Sequence, residues 1–176
     1  MKLVKPSVKY KKSYLRYLNE TDHSYGLHHY LKPEIVINNF SYFVEIMLDG
    51  EKIGKKQKEY FPIFAPFVVY WLIDDNDNYV GRINFRRKEN RFKLRNIVAG
   101  DIGYEINQEH QGKGYGSIIL KLGLDMINFK EKEFEITCLE TNIASKKIIE
   151  KNGGIFKEKK KDSANNIKLV YTIFSK

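Results

Sequence analysis

Hydrophobic positions along the chain change period several times, and each change marks an element. Residues 2–4 form a short strand candidate that Pro6 closes. Ser7 is a candidate N-cap, because a hydroxyl there accepts from the first free N–H groups of a helix. Tyr10, Tyr14, Tyr17 and Leu18 then recur at helical spacing. The polar segment 19–30 breaks this pattern and holds His23, His28 and His29 with Tyr25 and Tyr30. Pro33 suits a first helical position, and Val36, Phe40, Phe43, Val44 and Met47 mark one face of a second helix that Asp49-Gly50 stops.

From Phe67 the period shortens. Phe67–Ile73 is continuously apolar, as an interior strand covered on both faces should be. Asp74-Asp75-Asn76-Asp77-Asn78 reads as a turn, lacking the spaced glycine and distal glutamate of a calcium loop. Tyr79–Arg86 alternates back and completes a hairpin, with Tyr79, Gly81, Ile83 and Phe85 on one face. Residues 88–95 connect to a strand over 96–106, where Asp101, Gly103 and Glu105 face one way and Ile102, Tyr104 and Ile106 the other.

An apolar helical run covers 118–129, its only polar stripe being Lys121, Asp125 and Asn128. Glu133–Leu139 alternates as a strand, with Phe134, Ile136 and Cys138 on one side. Thr141-Asn142 caps a last helix that turns Ala144, Ile148 and Ile149 inward and ends at Asn152-Gly153-Gly154. Ile155-Phe156 and Ile167–Phe174 read as two closing strands around a basic turn. The helix joining the strand at 101–106 to Glu133–Leu139 predicts a right-handed crossover, so those two strands are parallel and the rest of the sheet antiparallel. This is a mixed α/β sheet in one domain.

Composition narrows the class. The 176 residues are 42% hydrophobic and 14% aromatic, enough for a packed core despite 30% charged positions. No apolar run reaches the roughly 18 residues of a membrane span, and Met1-Lys2-Leu3-Val4-Lys5-Pro6 has no signal-peptide core. The single cysteine, Cys138, reads as a buried thiol in a strand. These features predict a cytoplasmic protein with no membrane partner. The net charge of +9 is spread over the whole chain. Its one cluster, Lys157, Lys159, Lys160 and Lys161, is interrupted by Glu158 and Asp162 and reads as a solvated hairpin tip. That spread, without interleaved aromatics, argues against a nucleic-acid partner.

Candidate chemistry concentrates in Gln111-Gly112-Lys113-Gly114-Tyr115-Gly116-Ser117. Glycines at alternate positions bring backbone close to a ligand, and the helix behind them offers free N–H groups and a positive dipole end. That combination suits phosphate. A P-loop requires four residues between its first glycine and a Gly-Lys-Ser/Thr ending, and a dinucleotide fingerprint requires Gly-x-Gly-x-x-Gly after an early strand. Neither fits.

The pattern that does fit is Gln/Arg-x-x-Gly-x-Gly/Ala, the pyrophosphate loop of the GNAT family of N-acetyltransferases, which this sequence resembles over most of residues 70–174. The preceding strand Asp101-Ile102-Gly103-Tyr104-Glu105-Ile106 sits at the family distance. Asn142-Ile143-Ala144-Ser145 and the Asn152-Gly153-Gly154-Ile155-Phe156 ending resemble the second cofactor-contacting motif. The resemblance implies a single GNAT-like domain over 1–176, with a variable helical part over 1–65 covering the acceptor site and the sheet and acetyl-CoA core over 66–176. It implies acetyl-CoA as donor. Gln111, Gly112, Lys113, Gly114, Tyr115, Gly116 and Ser117 would hold the pyrophosphate. Splayed parallel strands, through the backbone of Gly103, Tyr104, Glu105 and Ile106 and of residues 136–139, would flank the pantetheine with Asn142 and Ser145. For Asn142 a plain helix cap is the other reading. Dimers are common in the family, so a homodimer is a further expectation.

Acetyl transfer to an amine requires a neutral nucleophile, so an ammonium near pKa 10.4 must lose a proton first. The resemblance marks Asp101 as base or ammonium anchor, with Glu105 four residues along as the second candidate. Either could instead pair with a Lys or Arg, or face solvent. Many relatives carry a proton-donating tyrosine where Ile149 stands here. Tyr104 and Tyr171 are the candidate substitutes, unless the thiolate leaves unprotonated. His23, His28 and His29 complete no ligand set with cysteine or a second histidine cluster, so no metal is expected. Three functions stay open. One is an N-acetyltransferase acting on a primary amine of a small molecule or peptide, one a non-catalytic acetyl-CoA sensor or scaffold, and one a basic nucleic-acid binder.

Overall fold

The computed structural model describes residues 1–20, 33–48, 67–86, 100–128 and 132–175. β1 (Lys2–Val4) leads through a one-turn 3-10 helix (Val8–Tyr10) into α1 (Lys11–Glu20), followed by α2 (Pro33–Asn38) and α3 (Phe40–Leu48). Next come β2 (Phe67–Ile73), β3 (Tyr79–Arg86), β4 (Ile102–Ile106), a 3-10 turn (Gln108–His110) and α4 (Tyr115–Met126). β5 (Glu133–Leu139), α5 (Ile143–Lys151), β6 (Ile155–Lys161) and β7 (Ile167–Phe174) complete the order. The strands form one seven-stranded sheet, β1-β2-β3-β4-β5-β7-β6. β4 and β5 are parallel and every other neighbouring pair is antiparallel. The mixed α/β class with one parallel pair is as the sequence predicts.

Each face of the sheet carries its own core. Tyr14, Phe40 and Phe43 from the N-terminal helices gather around Trp71 of β2 on one face, with Tyr14 stacked on Trp71 at 4.9 Å between ring centroids. Ile119 and Leu124 of α4 and Ile149 of α5 pack on Ile83, Phe85, Phe134 and Ile136 on the other. Cover on both sides is why β2 is apolar at consecutive positions. The β2–β3 turn is tied by Asp74, whose Oδ1 accepts from Asn76 N at 2.9 Å and Asn78 N at 2.7 Å. That is the ordinary use of aspartate in a turn.

Several boundaries differ from the sequence reading. Ser7 caps the 3-10 turn, accepting from Lys9 N, and α1 follows from it. The helix expected after Pro33 is two helices, because Asn39 Oδ1 accepts from Tyr42 N at 3.2 Å and restarts the chain as a cap. Within the described residues β4 begins only at Ile102, and α4 begins inside the glycine motif at Tyr115. The Lys157–Lys161 cluster is no hairpin tip but part of edge strand β6. The tip is the Asp162 turn, where Asp162 Oδ1 accepts from Ala164 N and Asn166 N. Lysines on an edge strand blunt pairing with other chains. His23, Tyr25, His28, His29 and Tyr30, the Asp49-Gly50 stop and the 88–95 connection lie outside the described residues.

Candidate active site

β4 and β5 are held together at one end and open at the other. Asp101 N donates to Glu135 O at 2.6 Å, and Glu135 N donates to Asp101 Oδ2 at 2.7 Å. Ile102 then pairs with Ile136, the last register pair before the strands part. Asp101 is 1% exposed, so its carboxylate is built into this junction. Beyond it, residues 103–106 keep their antiparallel partners in β3 but have none in β5. A strand edge released in this way can hydrogen-bond an extended ligand as an added strand would.

At the open end the chain turns into the glycine loop. Gly112 (φ 72°) and Gly114 (φ 82°) are left-handed, a conformation that costs other residues energy. A Cβ on either would meet no atom within 4 Å, so both face open space. Gly114 is the N-cap of α4 and supplies no side-chain cap. Ser117 N and Ile118 N turn inward to Gly114 O, while the first N–H groups of a helix have no intrahelical acceptor. This is an anion cradle at a helix N-terminus. Gln111 Nε2 donates to Ile106 O at 3.0 Å and so anchors the loop to the end of β4.

Between loop, splay and α5 lies a cleft of about 480 Å³, within the usual range of ligand pockets. Of the cofactor candidates, Tyr104, Ile106, Gln111, Gly112, Gly114, Tyr115, Gly116, Ser117, Asn142 and Ser145 line it, and Lys113 does not. Lys113 is an exposed loop residue. Asn142 is the N-cap of α5, its Oδ1 accepting from Ser145 N at 2.9 Å. The cap and a place in the cleft therefore coexist in one residue. Tyr104 hydroxyl and Ser145 Oγ are 2.8 Å apart, bridging β4 to α5, and burial pushes the phenol up to about 12 despite the Ser145 bond.

Glu105 lines the cleft together with its strand neighbours Tyr104 and Ile106, while its carboxylate is held by Tyr17 and Arg82. Glu105 Oε1 accepts the Tyr17 hydroxyl at 2.7 Å, and its Oε2 accepts from Arg82 Nε at 3.1 Å and meets Arg82 Nη2 at 2.9 Å. Burial works to lower the Arg82 guanidinium, but the facing Glu105 carboxylate together with the Tyr79, Tyr17 and Tyr14 phenols leaves it raised.

Sequence reasoning missed four lining residues, His110, Ala144, Lys147 and Ile148. Their only signal is adjacency to Gln111 and to Asn142–Ser145. His110 Nδ1 lies 3.2 Å from Glu109 Oε1 without hydrogen-bond geometry. Ile149 is fully buried and offers no proton. Tyr171 is also buried, donates to Glu150 Oε1 at 3.2 Å and does not line the cleft. Tyr104 is thus the one of the two substitute tyrosines that lies on the cleft. Cys138 is buried on β5, and burial pushes its thiol up.

The family described as acetyltransferase (GNAT) domain matches residues 15–155. No curated protein matches the sequence. Among solved structures, a variant of the spermidine N-acetyltransferase SpeG from Vibrio cholerae is 14% identical, with 99% of this chain and 95% of that one covered at a TM-score of 0.61. The microcin C7 self-immunity acetyltransferase MccE, in complex with acetyl-CoA and AMP, is 15% identical over 98% and 91%, with a TM-score of 0.61. RimL, a ribosomal α-N-protein acetyltransferase in complex with coenzyme A, is 15% identical over 98% and 92%, with a TM-score of 0.60.

Proposed function

The chain belongs to the GNAT acetyltransferases and is an N-acetyltransferase with acetyl-CoA as donor, and we propose that Glu105 holds the acceptor amine where the β4–β5 splay opens. The observation that supports this reading is the cleft itself, whose lining includes both the glycine cradle and Glu105. The cradle fits the donor, since two left-handed glycines face open space beside an uncapped helix start. Gly112, Gly114, Tyr115 and Gly116 would hold the pyrophosphate through backbone N–H groups, and Gln111 would fix the loop. Residues 103–106, Asn142 and Ser145 would flank the pantetheine.

Acetyl-CoA supplies the thioester whose acyl group moves. As the amine nitrogen bonded the acyl carbon and the carbon–sulfur bond broke, the amine proton would pass to solvent and the departing thiolate would take up a proton in its place. Glu105, with lone pairs beyond those taken by Tyr17 and Arg82, would accept from the amine and orient it. Asp101, the other candidate on this strand, would act as a positioning residue, because its buried carboxylate already receives Glu135 N. Tyr104 is the hydroxyl best placed to meet the departing sulfur. We place the enzyme in the cytoplasm, where a lone thiol such as Cys138 stays reduced. We take the acceptor to be a small-molecule or peptide amine and the assembly to be a homodimer.

The experiment is thiol release from acetyl-CoA across an amine panel, with Glu105→Gln beside the wild type. Turnover with at least one amine, lost in Glu105→Gln while acetyl-CoA still binds, is the expected result. Binding of acetyl-CoA without turnover of any amine would favour the sensor reading.

A further inference from the structure

The sheet face around Glu105 carries more polar chemistry than holding an amine requires. Cross-strand register places Trp71, Arg82 and Glu105 in one row and Val69, Asn84 and Gly103 in the next. Residues directly opposite in a sheet share a face, so Asn84 lies beside Arg82 and Glu105 on the acceptor side of β4. Asn84 is 5% exposed, and its Nδ2 has no hydrogen-bond partner among the described residues. Its amide lies directly over Gly103, where an added Cβ would be 3.0 Å from Oδ1 and 3.3 Å from Nδ2. Folded proteins leave few buried polar atoms unpaired, and each one calls for a reason. Trp71 Nε1 and the Tyr79 hydroxyl, on the same face, are also buried without partners among the described residues.

All of these groups can donate, and three of them can only donate: the Asn84 NH₂, the Arg82 guanidinium and the Trp71 indole. We propose that Asn84 Nδ2 and Glu105 form a two-point acceptor subsite that reads an α-amine together with its adjacent carbonyl, as in an amino-acid amide or a peptide N-terminus. The inference rests on the transfer reading above and deepens it. Gly103 and Glu105 are two residues apart on one strand, about 7 Å. An α-amine nitrogen and the oxygen of its own carbonyl are about 3 Å apart. With a hydrogen bond of about 2.9 Å at each end, such a group spans that gap. A polyamine instead brings a second ammonium, with donors only, against Arg82 and the Asn84 NH₂. An α-amine also titrates near pH 8, about two units below an alkylamine, so its neutral fraction near pH 7 is about a hundredfold larger and it asks less of a base. That suits a carboxylate already engaged by Tyr17 and Arg82.

The test is the kcat/KM of acetyl transfer to alaninamide, sec-butylamine and spermidine. It compares wild type with Asn84→Ala and with Asn84→Leu, which keeps the side-chain volume without the NH₂. The intrinsic difference between the amines cancels when their ratio is compared between proteins. Wild type should prefer alaninamide to spermidine, and the alaninamide to sec-butylamine ratio should fall about tenfold in both variants with acetyl-CoA binding retained. An unchanged ratio in the variants, or a wild-type preference for spermidine, overturns the subsite while leaving acetyl transfer standing. No turnover of any of the three amines overturns both. Should Asn84→Ala not fold, Asn84→Leu carries the same comparison.

Discussion

Tyr17 and Glu105 are 88 positions apart in the chain and joined by a 2.7 Å hydrogen bond. The contact ties α1, which packs on the Trp71 face of the sheet, to the strand that opens onto the cleft. Hydrogen bonds to a charged group contribute about 1.5–3 kcal/mol, roughly tenfold or more in an equilibrium. Tyr17→Phe removes only the hydroxyl and keeps the ring packed on Tyr14 and Tyr79. The expected outcome is a drop of about tenfold in kcat/KM for the amine with an unchanged dissociation constant for acetyl-CoA. An equal loss in both would place Glu105 in the cofactor site instead.

Gly114 separates backbone strain from ligand exclusion. Its φ of 82° costs an alanine about 1–2 kcal/mol, and the new methyl would point into space holding no protein atom within 4 Å. Gly114→Ala should therefore lower the melting temperature by only a few degrees. Its acetyl-CoA affinity should fall further, by about tenfold, because the methyl stands where the cradle meets the pyrophosphate. Isothermal titration with coenzyme A measures this, and an unaltered affinity would move the cofactor elsewhere.

The parts of the site that are local in sequence are the parts that the sequence makes legible. The alternation of Ile102, Tyr104 and Ile106 against Gly103 and Glu105, and the glycines after Gln111, encode β4 and the cradle within a few residues of each other. The partners of those residues are not encoded nearby. Tyr17 and Arg82 reach Glu105, and Glu135 N reaches Asp101, across strand register that only the folded sheet defines. β6 is hidden for a different reason. Residues 157–161 form an edge strand with exposed positions on both sides, so no apolar alternation marks it. The break at Asn39 is equally hard to see, since Val36, Phe40 and Phe43 keep one helical period through it.

Asp101 distinguishes a residue that positions from one that reacts. Its carboxylate satisfies the part-buried Glu135 N–H, which a methyl cannot do. Asp101→Ala should lower stability by about 2 kcal/mol, whereas Asp101→Asn, which keeps an acceptor oxygen, should retain most of the stability and most of kcat. Urea titrations and steady-state kinetics on the pair check this. Full stability with abolished turnover in Asp101→Asn would make Asp101 the catalytic carboxylate.

The buried phenols give the fold an alkaline limit. Burial pushes Tyr104 and Tyr171 up to about 12, and pushes Tyr14 and Tyr79 well above the ordinary value. In the unfolded chain all four titrate near 10. A folded value above the unfolded one means that the native state holds its protons longer. The stability this contributes is complete below pH 10 and is lost as pH rises from about 10 through about 12. Unfolding free energy should be flat in this respect up to pH 10 and fall above it. Tyrosinate absorbance should rise in two stages, exposed phenols first and these four together with loss of the native circular dichroism. Four phenols ionising near pH 10 in a protein that stays folded would show that they are reachable by solvent. Tyr104→Phe should shift the alkaline midpoint upward, since it removes one of the groups whose ionisation drives unfolding.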